Sequence, residues 1–158
     1  MNKNVFIKGF VTLALGFSVL SFVTPTPMAH AENDPVYTSW RNNIAVDGYD
    51  PITFFTGTPL QGNPQYQMEY MGAIWVFSSR ANLDLFKTNP SVFAPQYGGY
   101  CAWAVAHGKL AKGSPENWYV EDGRLFLNFN DRIQKKWDKK RPDFIVRADN
   151  KWPDILKK

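Results

Sequence analysis

The chain has one cysteine, Cys101, and two histidines, His30 and His107, among its 158 residues. A single thiol excludes an internal disulfide framework and leaves a free thiol, an intermolecular bond or a metal ligand. Long apolar runs are equally scarce. The stretch from Gly9 to Val23 is the most apolar, and it is short of the roughly 20 residues that a membrane span needs. Charge of either sign is sparse, with 18 Lys and Arg against 14 Asp and Glu, so no nucleic-acid footprint is implied. No phosphate-binding loop, serine elbow or dinucleotide fingerprint is present. Neither an internal repeat nor a low-complexity tract is legible.

What stands at the N-terminus is an export pattern. Lys3 and Lys8 precede the apolar stretch, and Ala29-His30-Ala31 ends it with small residues around one position. This predicts a signal peptide over residues 1–31, cleavage after Ala31, and a periplasmic or secreted protein. Removing 31 of the 158 residues leaves 127, enough for one domain, and lowers the net formal charge from +4 to +2 through loss of Lys3 and Lys8. His30 goes too, so a blue-copper set of two histidines and a cysteine is unavailable. A closed zinc site of four Cys or His ligands is likewise excluded. No apolar run in the remaining chain suggests a transmembrane segment.

Residues 32–43 read as an irregular lead-in that pins Trp40 to the core, and 44–158 as one domain. Asp50-Pro51 starts a short helical turn, with Asp50 as cap and Pro51 in the first position. Tyr66, Met68 and Tyr70 alternate with polar residues, Met71-Gly72 turns the chain, and residues 73–77 return, which predicts a hairpin. Ser79 caps a helix to about Asn89 with Leu83 and Phe86 on one face. A second hairpin turns at Asp122-Gly123. Phe129, Ile133 and Trp137 then share a helix face, and Pro142 ends that helix. Trp152 to Leu156 closes the chain. Two hairpins forming an antiparallel sheet, packed by several short helices, define an α+β fold.

The candidate chemistry centres on Gln96 to Gly108. Two glycines precede Cys101, and a small-residue run ending at Gly108 reads as a short helix. Cys101 in its first turn would feel the helix dipole and unpaired N–H groups, which favour thiolate. His107, six residues on, lies about 240° around the helix axis and does not share its face. Subtraction leaves a low-coordinate soft site of Cys101 with Met68 or Met71 and His107, which suits Cu(I). Asp47 and Asp50 are turn and cap residues, and Lys135, Lys136, Lys139, Lys140 and Arg141 a solvated face.

Taken together, Asp47-Gly48-Tyr49-Asp50-Pro51, Tyr70-x-Gly72, Phe77-Ser78-Ser79, Asn89-Pro90, Tyr97-Gly98-Gly99-Tyr100-Cys101-Ala102 and Asp122-Gly123-Arg124-Leu125-Phe126-Leu127-Asn128, with Ala148-Asp149 and Trp152, make a recognisable set. The chain resembles the exported YHS-domain family over about residues 44 to 156. The resemblance implies kinship with small metal-binding modules, and some relatives carry selenocysteine at the position of Cys101. It thereby implies reactivity or soft-metal ligation there, framed by Tyr97, Gly98, Gly99 and Tyr100. It carries no role over to His107. Three readings stay open: a copper or thiol-binding module centred on Cys101, a redox enzyme using a low-pKa Cys101 with a partner thiol protein, and a non-catalytic binding module with an inert cysteine and an aromatic groove.

Overall fold

A computed structural model describes residues 33–157; the expected signal peptide, residues 1–31, lies outside them. The α+β class holds. Residues Asn63–Tyr70 (β1) and Ala73–Phe77 (β2) form the first hairpin, followed by the helices Arg80–Thr88 (α1) and Pro90–Phe93 (α2). After the short helix Ala102–Ala106 (α3), Ser114–Glu121 (β3) and Arg124–Asn128 (β4) form the second hairpin. The helices Asp131–Asp138 (α4) and Arg141–Asp149 (α5) complete the order. Each hairpin is hydrogen-bonded as its own two-stranded antiparallel sheet.

The hairpins obey their turn chemistry. Met71-Gly72 and Asp122-Gly123 all have positive φ, the condition for a tight two-residue turn that matches strand twist. Ser79 Oγ accepts from Asn82 N to start α1, and Asn130 Oδ1 accepts from Ile133 N to start α4. Asp50 accepts from Ile52 N beside Pro51 and starts a tight helical turn over Pro51–Thr56.

Contrary to the expectation from sequence, the fold contains an internal repeat. Its second half reproduces the first with a constant offset of 51 residues, as between Tyr49 and Tyr100. Three successive positive φ values at Val46, Asp47 and Gly48 (54°, 50°, 84°) recur at Tyr97, Gly98 and Gly99 (57°, 60°, 82°). The bond from Asp50 N to Leu60 O (2.9 Å) recurs from Cys101 N to Ala111 O (2.8 Å). The bridge Tyr49 to Gln61 recurs as Tyr100 to Lys112. Both hairpins slip register at the same place, between Asn63 and Gln67 and between Ser114 and Trp118. A Cβ on Gly62 would strike Val76, and one on Gly113 would strike Leu127 and Gly99 O. Phe86 and Trp137, again 51 apart, are both fully buried. The described residues contain two copies of one turn, hairpin and helix unit.

The core falls into two clusters, and Leu125 and Leu127 of the second hairpin pack into the first. Trp75, Phe77, Leu83 and Phe86 anchor the first, and Tyr97, Val105, Phe126 and Trp137 the second. Trp75 and Phe86 lie 5.3 Å apart, Phe126 and Trp137 5.6 Å. Three local expectations are corrected. Trp40 is 89% exposed, and Val36 and Tyr37 tie the lead-in down instead, Tyr37 edge-on to Tyr100. Phe129 is outside α4 and exposed, because Asn130 takes the cap and the helix begins after it. Pro142 does not simply end a helix but sits in the first turn of α5, where its missing N–H costs nothing.

Candidate functional site

Cys101 is the residue immediately before α3 and is 1% exposed, packed with Ala104 and Ile133. Its counterpart in the first unit is Asp50, which is fully buried and satisfied by a cradle of donors. Asp50 Oδ1 accepts from Ile52 N at 2.9 Å; Oδ2 accepts from Ser78 N at 2.8 Å, Ser78 Oγ at 2.7 Å and Asn82 Nδ2 at 2.7 Å. The backbone N–H groups of Ala104, Phe129 and Trp103 favour a charge on the Cys101 sulfur, and Phe129 and Trp103 are the 51-residue counterparts of Ser78 and Ile52. The thiol donates to Asn128 Oδ1 at 3.7 Å, and the same oxygen accepts from Trp103 N at 3.1 Å. Asn128 Nδ2 in turn donates to Gln134 Oε1 at 3.0 Å. The sulfur therefore stands where Asp50 has its carboxylate, with the side-chain donors Ser78 and Asn82 replaced by Phe129 and Ile133.

Burial decides the protonation state. It pushes the Cys101 thiol above the usual thiol range, and the three backbone N–H groups offset only part of that rise. The helix-start argument for a thiolate is outweighed because α3 is only five residues long and the sulfur faces protein rather than water. A low-pKa nucleophile does not follow from this geometry.

Nor do the other soft donors converge on Cys101. His107 lies at the far end of α3, about 9 Å along the axis for six residues. Its Nδ1 is 2.6 Å from Trp103 O, and its ring stacks on Trp103 at 3.9 Å. Met68 faces Trp75 across the first hairpin and packs on the first unit's core. Met71 is at the hairpin tip and 48% exposed. Among the described residues no three His, Cys, Asp or Glu side chains cluster as metal ligands. The donor set of Cys101, Met68, Met71 and His107 does not fit one ion.

A cleft of about 300 Å³ opens instead where the two units meet. Tyr70, Met71 and Trp75 come from the first hairpin, Gln96 and Tyr97 from the segment entering the second unit, and Asp149 and Trp152 from the C-terminal end. Tyr97 is the pivot. It is buried yet holds φ at 57°, a conformation that costs a bulky residue on the order of 1 kcal/mol or more. Its hydroxyl donates to Asp149 Oδ1 at 2.8 Å, and its ring packs on Trp152 at 5.9 Å. Burial, with the Asp149 carboxylate beside it, pushes the Tyr97 phenol far above its ordinary pKa. Arg124 closes the polar side: Nη2 donates to Asp149 Oδ1 at 2.7 Å, Nη1 to Oδ2 at 3.1 Å and Nε to Gln96 Oε1 at 3.1 Å. Burial works against the Asp149 carboxylate, but the bonds from Arg124 and Tyr97 together hold its pKa below the usual carboxylate range.

Of the residues singled out from sequence, Tyr97, Gly98 and Met71 line this cleft, whereas Cys101, Met68 and His107 do not. Gln96, Arg124 and Asp149 all stand in stretches singled out from sequence, but nothing in the sequence pairs them. Residues 52–97 match the family model of the YHS domain. No curated protein and no solved structure matches the chain. The match covers most of the first unit and ends four residues before Cys101, at the cleft residue Tyr97. The metal-binding association of YHS domains thus meets a chain whose described donors do not gather around its thiol.

Proposed function

We propose that this protein is a non-catalytic binding module that recognises its ligand in the cleft between the two units, with Cys101 as a packing residue. The observation that carries this reading is the contrast between the two places. Cys101 is sealed at 1% exposure in a satisfied cradle, while the cleft is open and lined by aromatic rings, an ion pair and a strained Tyr97. Strained backbone beside a concave, partly polar pocket is where binding sites concentrate.

The test is chemical-shift mapping on the isotopically labelled protein with a library of small fragments. Binding in the cleft moves the indole N–H signals of Trp75 and Trp152 and leaves those of Trp103 and Trp118 in place. Fragments that all act elsewhere, or none that bind, would overturn the reading.

A second reading takes the metal-binding association of the YHS match and adds to it, by donor type alone, a soft ion such as copper held at Cys101. It requires the sulfur to come out of its cradle and a partner molecule to add donors. Anaerobic Cu(I) titration decides it, since stoichiometric binding lost in Cys101→Ala supports it and equal binding by both proteins rejects it. Export belongs to either reading and rests on the N-terminal pattern. N-terminal sequencing of the protein recovered outside the cytoplasm should begin at Glu32.

A further inference from the structure

The basic residues of α4 form a row that none of the functions above uses. At about 100° per residue, Arg132, Lys135, Lys136 and Lys139 fall within about 100° of arc on one face of the helix, and all four are exposed. Lys139 follows the last helical residue but keeps helical backbone angles, so the row runs about 10 Å from first to last. On the far side Ile133 and Trp137 are buried, which holds the row outward. Among the described residues, neither these four nor the exposed Lys140 beside them has an ion-pair partner. Arg141 leaves the group: it pairs with Asp138 at 3.3 Å, lies 3.4 Å from Glu121 and covers the Tyr119 ring. Asp138 is thus neutralised, and Asp131, the other carboxylate on α4, accepts from Asn117 at 2.6 Å. A surplus of positive charge is left facing solvent.

Two observations select the anionic partner. Three of the four row residues are lysines, flexible point charges, whereas fixed bidentate recognition of carboxylates or nucleic-acid phosphates favours arginine. Lysines suit a fluid array of phosphates whose positions are not set in advance. Aromatic side chains also border the row: Lys136 Nζ lies 5.5 Å from the centre of the half-buried Trp103 ring, and Phe129, just ahead of the cap residue Asn130, is 49% exposed. Exposed rings beside lysines are the composition of surfaces that rest at the headgroup level of a bilayer. We infer that this face of α4 docks on an anionic lipid surface, with the lysines over the headgroup phosphates and Trp103 and Phe129 as the apolar margin. Ile133 and Trp137 stay in the core, so the helix lies on the membrane and does not enter it. None of these residues lines the cleft, and the inference stands apart from the cleft reading.

Co-sedimentation of the full chain with vesicles of phosphatidylcholine containing about a third phosphatidylglycerol tests this, against vesicles of phosphatidylcholine alone. Binding should require the anionic lipid and weaken as salt rises from about 0.05 M to about 0.5 M. Lys135→Gln with Lys139→Gln should lower the partition coefficient about twentyfold, near fivefold for each lysine, with an unchanged unfolding midpoint because both positions are exposed. Both proteins carry the same N-terminal stretch, so the difference between them belongs to α4. A lipid with a paramagnetic headgroup should broaden the Trp103 indole signal more than that of Trp75. Equal partition of the two proteins, or stronger broadening at Trp75, would overturn the docking face. Binding to polyglutamate or duplex DNA without binding to the anionic vesicles would overturn the membrane as the partner.

Discussion

At Cys101 two local effects oppose each other. Backbone N–H groups favour a negative charge on sulfur, and burial opposes it more strongly. The cradle explains both, because its first-unit counterpart holds the Asp50 carboxylate with four donors. Hydrogen bonds to a charged group are each worth about 1.5–3 kcal/mol, and a buried donor left unpaired costs about 1–3. Asp50→Ala should therefore destabilise the fold by at least about 3 kcal/mol in urea unfolding. Cys101→Ala, which removes one sulfur from a small cavity, should cost about 1 kcal/mol. Cys101→Asp is the more telling variant. If Asn128 turns its amide nitrogen toward the new carboxylate, the cradle accepts it, and the cost should stay under about 2 kcal/mol, whereas a buried unpaired charge costs about 3–5. A loss comparable to that of Cys101→Leu would show that the two cradles are not equivalent.

Among the elements, the segment Gln96–Gly99 does the most with the fewest residues. Its positive φ values turn Tyr97 inward to the cleft and bring Gly98 against the lead-in, where Tyr37 N donates to Gly98 O at 2.9 Å. A Cβ on Gly98 would fall on the carbonyl of Pro35. Gly98→Ala should push the lead-in away, cost about 2 kcal/mol, and abolish hydrogen-exchange protection at the Tyr37 amide while leaving the β1 and β2 amides protected. Unchanged protection at Tyr37 would contradict this packing. The same segment shows where sequence reasoning stops. The hairpin turns, the caps at Asp50 and Ser79 and the inward faces of α1 were legible because turn and cap chemistry is local. The repeat was not. The two units share Gly48 with Gly99, Tyr49 with Tyr100, Gly57 with Gly108, Gly62 with Gly113, Pro64 with Pro115 and Gly72 with Gly123, mostly turn and close-approach residues. Their core positions diverged, Trp75 to Phe126 and Phe77 to Asn128, so periodicity of the hydrophobic pattern gave no sign of it. Cys101 stands out as the lone thiol, but its burial depends on Ile133, 32 positions away, which packs against it.

For the molecule as a whole, the cleft depends on the C-terminal end being held against the first hairpin, and the Arg124–Asp149–Tyr97 network contributes to that hold. The folded pKa of Asp149 is lowered, so its contribution is fully present above the unfolded carboxylate value of about 3.9 and is lost as pH falls through the folded value. The pair is partly exposed, at 34% and 42%, so the effect should be modest and weaken with salt. Trp152 fluorescence should accordingly change as pH falls below about 4, before global unfolding, and Asp149→Asn should remove that step. A step that persists in the variant would place its origin elsewhere.

The proposed assignment of Cys101 as a packing residue rests on its burial. It is tested most directly by the rate at which a disulfide reagent modifies the thiol of the folded protein across a denaturant series. Modification should be slow in buffer and rise with denaturant along the same slope as global unfolding, because the sulfur is reached only when the second unit opens. Fast, denaturant-independent labelling of the native protein, comparable to that of the unfolded chain, would contradict it and return Cys101 to the centre of the function.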